Sequence, residues 1–226
     1  MIALVGSGEY LPAMEPVDRE LISRLKDPPR VVCLPTAAGN EGPERIAYWS
    51  RLGVEHFTRL KANVETVPVI DRASANDAIL AKTIAGANFV YLSGGKPFYL
   101  YETLEGSLAW DAILSVLADG GLLAGCSAGA MIMGEKFYGF SEWKNGFSFL
   151  TGFTIIPHYG EFPESRIKSI HLSIGEDLTM LCIEGNTILL KSEEQYEVVG
   201  IGGVTVWDKS SKTRYTHGPL PPGAVV

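Results

Sequence analysis

Leu122-Leu123-Ala124-Gly125-Cys126-Ser127-Ala128-Gly129-Ala130 runs from an apolar stretch into a cluster of small residues. Its first part, 122–125, reads as a short buried strand, and a helix is expected to open at Ala128 and run to about Met133. Between them, Gly125-Cys126-Ser127-Ala128-Gly129 has the spacing G-x-S-x-G. A strand before and a helix after is the context in which that spacing presents a nucleophile. Such a turn holds its central residue in a strained conformation, and small flanking residues keep its two arms from colliding. The Ser127 hydroxyl is then offered at the C-terminal edge of a sheet. The Ala128 amide lies at a helix N-terminus, where an oxyanion is stabilised. Taken alone, the spacing also fits an ordinary glycine-rich strand–helix turn. A second frame centres on Cys126 as a thiol nucleophile, but it places Ala128 where the far arm needs glycine and points Cys126 away from the opening.

Upstream, apolar strand-like runs at 2–5, 30–35, 64–70 and 87–92 alternate with helical patterns at 17–26, 43–60, 76–84 and 98–117. Pro43 suits a first helical turn and Asn76 an N-cap, while Gly106 interrupts the longest pattern. Near-continuous apolar strands separated by helices indicate a parallel sheet covered on both faces. The predicted fold class is therefore a doubly wound α/β sandwich. Downstream, 134–152 is rich in glycine and aromatics and reads as a loop or hairpin excursion. Further strands are expected at 179–183, 187–190, 196–201 and 204–208, with Asn186 and Gly202-Gly203 as hairpin turns. No repeat, linker or low-complexity tract divides the chain, so residues 1–226 read as a single catalytic domain.

The bulk composition narrows the function. The 226 residues carry 19 Lys and Arg against 26 Asp and Glu, a net charge of −7. An acidic chain without a basic stripe argues against nucleic acid or an anionic membrane as partner. No apolar run approaches the roughly 18 residues a membrane helix needs. The first residues lack a basic flank and read as a strand rather than a signal peptide, so a cytoplasmic location is expected. Cys33, Cys126 and Cys182 have no CxxC spacing, and neither a disulfide framework nor a metal site is expected. Gly6-Ser7-Gly8 is too short for a dinucleotide fingerprint, and no cofactor is implied. Glycine is in excess, 25 residues or about 11% against a usual ~7%, which suggests backbone that must approach something closely.

A serine nucleophile needs a base. Of four histidines, His56 falls within the helical pattern 43–60 and His217 in a Pro- and Gly-rich tail, and both read as surface residues. His171 is expected on a helix face. His158 ends the apolar run 153–158 and should emerge at a strand end, where active sites of open α/β sheets gather; it is the preferred base. The orienting carboxylate is assigned to Glu184, which ends a strand and precedes the turn Gly185-Asn186. Asp177 and Glu161 compete for that role. The chain order Ser, His, Glu differs from that of the α/β hydrolases.

With these residues in place, the chain resembles the peptidase E (aspartyl dipeptidase) and cyanophycinase family of serine peptidases. The resemblance rests on the glycine pair within 93–97, the elbow at 125–130, Pro157-His158 and Glu184-Gly185-Asn186, in order and at compatible spacing. It implies a flavodoxin-like sheet similar to the class I glutamine amidotransferases, with serine in place of their cysteine. It implies Ser127 as nucleophile, His158 as general base and acid, and Glu184 as its partner. The oxyanion hole would comprise the amides of Gly95 or Gly94 and of Ala128. Small peptides or isopeptides are the implied substrates, and a homo-oligomer is compatible with the resemblance. Family members that cleave aspartyl bonds need a basic residue near the substrate carboxylate, and Lys96, Arg166, Lys136 and Lys144 are the candidates. Glu9, in the loop after the first strand, would favour a substrate amine and oppose an acidic side chain.

Overall fold

The computed structural model describes residues 1–139, 142–174, 178–193 and 195–225. Its first part alternates strands and helices: β1 (Ile2–Val5), α1 (Glu15–Ser23), β2 (Arg30–Leu34), α2 (Pro43–Arg59), β3 (Asn63–Thr66), α3 (Arg72–Ala75) and α4 (Ala78–Ala85). It continues through β4 (Phe89–Leu92), α5 (Pro97–Leu104), α6 (Leu108–Ala118), β5 (Leu122–Cys126) and α7 (Ala128–Met131). The remainder is β6 (Lys136–Tyr138), β7 (Trp143–Asn145), β8 (Phe153–Tyr159), α8 (Glu164–Ser173), β9 (Thr179–Glu184), β10 (Thr187–Ser192), β11 (Gln195–Gly200), β12 (Val204–Trp207), β13 (Lys212–Tyr215) and β14 (Gly218–Pro219).

The main sheet has the order β14-β11-β10-β1-β5-β4-β2-β3. Strands β1 to β5 pair in parallel, and β10, β11 and β14 extend the sheet antiparallel beyond β1. The doubly wound, mostly parallel α/β fold read from the sequence is the one observed. Its cause is visible in β1, which is buried throughout: Ile2 and Leu4 join one core cluster while Ala3 and Val5 join another. Side chains alternate across a strand, so continuous apolar sequence feeds both faces. α1 and α2 cover one face, with Val17, Leu21 and Phe57 buried there, and α4 to α7 cover the other.

A second sheet, β13-β12-β9-β8, places β8 parallel to β9. One face shares the larger core through Ile155, Leu181, Ile183 and Val204. The other packs Ile156, Met180 and Cys182 against Ile167 of α8. β6 and β7 form a small antiparallel ribbon within the excursion after Gly134. No helix among the described residues is long and apolar enough to cross a membrane.

Three expectations need correction. The turns at Asn186 and Gly202-Gly203 are not hairpins: β9 pairs with β8 and β12, whereas β10 pairs with β1 and β11. At each turn the chain changes sheet. The helix expected at 76–84 is α4, but its cap is Asp77, whose carboxylate accepts from the amides of Ile79 and Leu80. Asn76 instead ends α3, its side-chain amide donating to the Arg72 carbonyl. His56 is fully buried rather than at the surface, with Nε2 2.7 Å from Asp18 Oδ2.

Candidate active site

The turn between β5 and α7 has the strain expected of it. Ser127 sits at φ 50° and ψ −107°, a region that costs a non-glycine residue about 1–3 kcal/mol. The neighbouring strands hold it there, since its amide donates to the Val5 carbonyl of β1 at 3.1 Å. Both flanking glycines are required by contact. A Cβ on Gly125 would lie 2.4 Å from the Gly129 carbonyl carbon, and one on Gly129 would lie 2.8 Å from the Leu92 carbonyl oxygen. Because β5 lies between β1 and β4, the loops that follow those two strands border Ser127.

His158 arrives from the second sheet. The β8–β9 ladder slips between Ile156 and Tyr159, a local irregularity of the kind that re-aims side chains. His158 adopts φ 55°, and its amide donates to the Gly6 carbonyl after β1. Its Nε2 lies 3.0 Å from Ser127 Oγ, and its Nδ1 lies 2.8 Å from Glu161 Oε2. With the proton on Nδ1, the ring donates to Glu161 and accepts from the serine hydroxyl. The other oxygen of Glu161 accepts from Ser7 Oγ. Burial pushes the Glu161 carboxyl up, but the hydrogen bonds from Ser7 and His158 and the imidazole's charge outweigh it, holding the group below its usual range.

Glu184, assigned from sequence as the partner of His158, is elsewhere. Its oxygens accept from Arg214 Nε at 2.6 Å, Arg214 Nη2 at 2.8 Å and the Gly203 amide at 2.9 Å. The Arg214 guanidinium holds this carboxyl below its usual range. The correction has a physical reason. Glu184 lies at the point where the chain crosses between sheets and closes that crossing through Gly203, while the turn after β8 brings Glu161 back under His158, its amide donating to the His158 carbonyl. Glu161 stood only as a competitor in the sequence; its signal is a position three residues after His158, within the Gly160–Pro163 turn. Asp177, the other competitor, lies outside the described residues.

The proposed oxyanion donors separate in the same way. The Gly94 amide donates to Glu9 Oε1 at 3.0 Å, and Glu9 Oε2 accepts from the Cys126 thiol at 3.0 Å. Glu9 is buried, and both of its carboxylate oxygens tie the 93–96 loop to the elbow. Among the described residues, the amides of Gly95 and Ala128 have no acceptor. Gly95 takes φ 149°, and a Cβ there would lie 2.5 Å from the Ala37 carbonyl. Cys126 is fully buried, and burial pushes its thiol far above the usual range, with Glu9 adding to the shift. The thiol frame read from the sequence thus has no exposed nucleophile.

Two cavities meet at Gly95, Ser127 and His158. One, of about 190 Å³, runs beneath α8, and Arg166 stands on its wall. The other, of about 520 Å³, is lined by Glu9, Glu41, Arg45, Trp49 and Lys96. Lys136 is exposed, and Lys144 pairs with Glu102 at 2.9 Å. His171 is on α8 as expected, stacked on Trp207 at 4.4 Å, and His217 is exposed.

A serine on a strained strand–helix turn, at hydrogen-bond distance from a carboxylate-backed histidine, is the constellation of a serine hydrolase. More specifically, the chain belongs to peptidase family S51, a family of serine peptidases, whose model matches residues 2–199. It is similar to a peptidase from an acI-B1 Actinobacterium, whose crystal structure superposes with a TM-score of 0.88 at 32% identity, covering 97% of this chain and 95% of that one. A putative peptidase E protein from Listeria monocytogenes shares the fold, with a TM-score of 0.66 at 20% identity over 89% and 98% of the two chains. An uncharacterized peptidase of Listeria innocua, Lin0382, is 26% identical over 176 residues, 73% of this chain and 81% of that protein.

Proposed function

We propose that the protein hydrolyses small peptides or isopeptides, dipeptides among them, through an acyl-enzyme on Ser127. The observation that carries this reading is the continuous chain from Ser127 Oγ through His158 to Glu161. Ser127 Oγ attacks the scissile carbonyl while His158 Nε2 takes its proton. Glu161, itself held by Ser7, fixes the ring and stabilises the imidazolium. The amides of Gly95 and Ala128 stabilise the oxyanion. His158 then protonates the leaving amine, and the bond between it and the acyl carbon breaks. A water, deprotonated by His158, releases the acid and restores Ser127. Of the sequence-derived trio, this reading keeps Ser127 and His158 and gives the third role to Glu161. Gly94 becomes part of the scaffold through Glu9.

The test is covalent labelling with a fluorophosphonate, read by peptide mass spectrometry. Wild type is expected to carry one adduct, on Ser127, with Ser127→Ala unlabelled and inactive on every dipeptide tried. Equal labelling of Ser127→Ala would refute the proposal.

A further inference from the structure

We infer that the cavity beneath α8 is a subsite for an apolar side chain, so that one residue flanking the scissile bond is aliphatic or aromatic rather than acidic. The inference rests on the Ser127 reading above and names the substrate class for it.

The cavity shares Gly95, Ser127 and His158 with the catalytic centre, so a side chain lying in it belongs to a residue next to the bond being cut. Much of its remaining wall is Met131 of α7, Tyr138 of β6, Ile156 of β8, Phe162, and Ile167 and Ile170 of α8. Ile156 and Ile167 are themselves core residues, 5% and 2% exposed, packed with Met180 and Cys182. The apolar wall is therefore the open end of a hydrophobic cluster. Ile156 and Ile167, fixed in that cluster, cannot turn away to admit a charged group. A carboxylate resting on Met131, Ile156, Ile167 and Ile170 would lose its hydration and gain no hydrogen bond from them, which is costly for a charge.

Among the described residues lining this cavity, Arg166 is the one arginine or lysine. Its guanidinium lies 4.7 Å above the Phe162 ring, and the residue is exposed. The guanidinium thus packs on the Phe162 ring, and the lining beside it is mostly apolar. Polar partners gather instead in the other cavity, where Arg45 is 3.6 Å from Glu41 and Lys96 Nζ is 3.0 Å from Asn40 Oδ1. The two cavities meet at the nucleophile, one apolar and one charged. A peptide crossing Ser127 thus has an apolar side chain on one side and its charged end on the other.

The test measures how well dipeptides protect Ser127 from a fluorophosphonate, a readout that does not require turnover. Each of the two positions is varied in turn through Leu, Phe, Met, Asp and Lys. At one position, Leu, Phe or Met is expected to protect at concentrations roughly tenfold or more below those needed for Asp or Lys, the discrimination an apolar pocket supplies. In Ile170→Ala that advantage is expected to shrink several-fold. Asp protecting as well as Leu at both positions, or no dependence on side chain at either, overturns the subsite while leaving Ser127 labelling intact. Absence of labelling in the wild type overturns the Ser127 reading and the subsite with it.

Discussion

Glu161 follows β8 and Glu184 ends β9, and both carboxyls are held below their usual range, but by different partners. Glu161 touches the imidazole, so Glu161→Gln is expected to lower kcat by roughly 10²-fold or more, as loss of the orienting carboxylate does in serine hydrolases. Glu184→Gln removes a partly exposed bidentate pair with Arg214 and is expected to cost about 1 kcal/mol or less of stability, with kcat within a few-fold of wild type. Steady-state kinetics on both variants check this, and the reverse pattern would return the role to Glu184. The same linkage applies to both carboxyls in acid. A carboxyl whose folded pKa is depressed contributes stability above its unfolded pKa and loses it as pH falls through the folded value. Wild type should therefore exceed Glu161→Gln in Tm above the usual glutamate range, about pH 4–5, and the difference should shrink as pH falls below that range. Ser127 and His158 were legible because each sits at a strand end that the apolar pattern reveals. The carboxylate was not. Its position depends on a slip in the β8–β9 ladder and on a positive φ at His158, and no residue pattern announces either.

At the scale of elements, the elbow is a packing problem that the sequence states openly. Gly125 and Gly129 face each other across the turn, and Gly129 also rests on the backbone of Leu92. Backbone cannot move aside, so Gly129→Ala is expected to destabilise the protein by roughly 1–3 kcal/mol. Gly86, which ends α4 and would place a Cβ no closer than 3.4 Å to any neighbour, supplies the control, and Gly86→Ala is expected to stay within about 0.5 kcal/mol of wild type. Denaturant midpoints of the two variants check the contrast; equal effects would mean that the elbow has room to spare. The parallel strands were legible for the same kind of reason, since buried strands need unbroken apolar sequence. The pairing of β9 and β10 was not. Asn186 marks a turn in either case, and a turn residue carries no information about which sheet the next strand joins.

Across the whole molecule, two sheets share one core. Ile2, Leu4 and Leu189 of the main sheet belong to the same cluster as Leu181, Ile183 and Val204 of the second. A separate unit would need its own core, and the second sheet's private cluster, around Ile156, Ile167, Met180 and Cys182, is small. The chain is therefore expected to unfold as one cooperative domain, as its undivided sequence suggests. The three cysteines report on this without mutation. All are buried and unpaired, with Cys33 and Cys126 in the cluster under α1 and α2 and Cys182 in the second sheet. Burial pushes the thiols of Cys33 and Cys182 up to about 12 and that of Cys126 well up. Since the thiolate is the reactive form, none should react with iodoacetamide in the native protein near neutral pH. Pulse alkylation along a urea series, read by mass spectrometry at each cysteine, should show all three becoming reactive at one midpoint. Modification of Cys182 at lower urea than Cys33 and Cys126 would show that the second sheet opens first. His158 would then belong to a part of the molecule that can leave Ser127 while the main sheet stays folded.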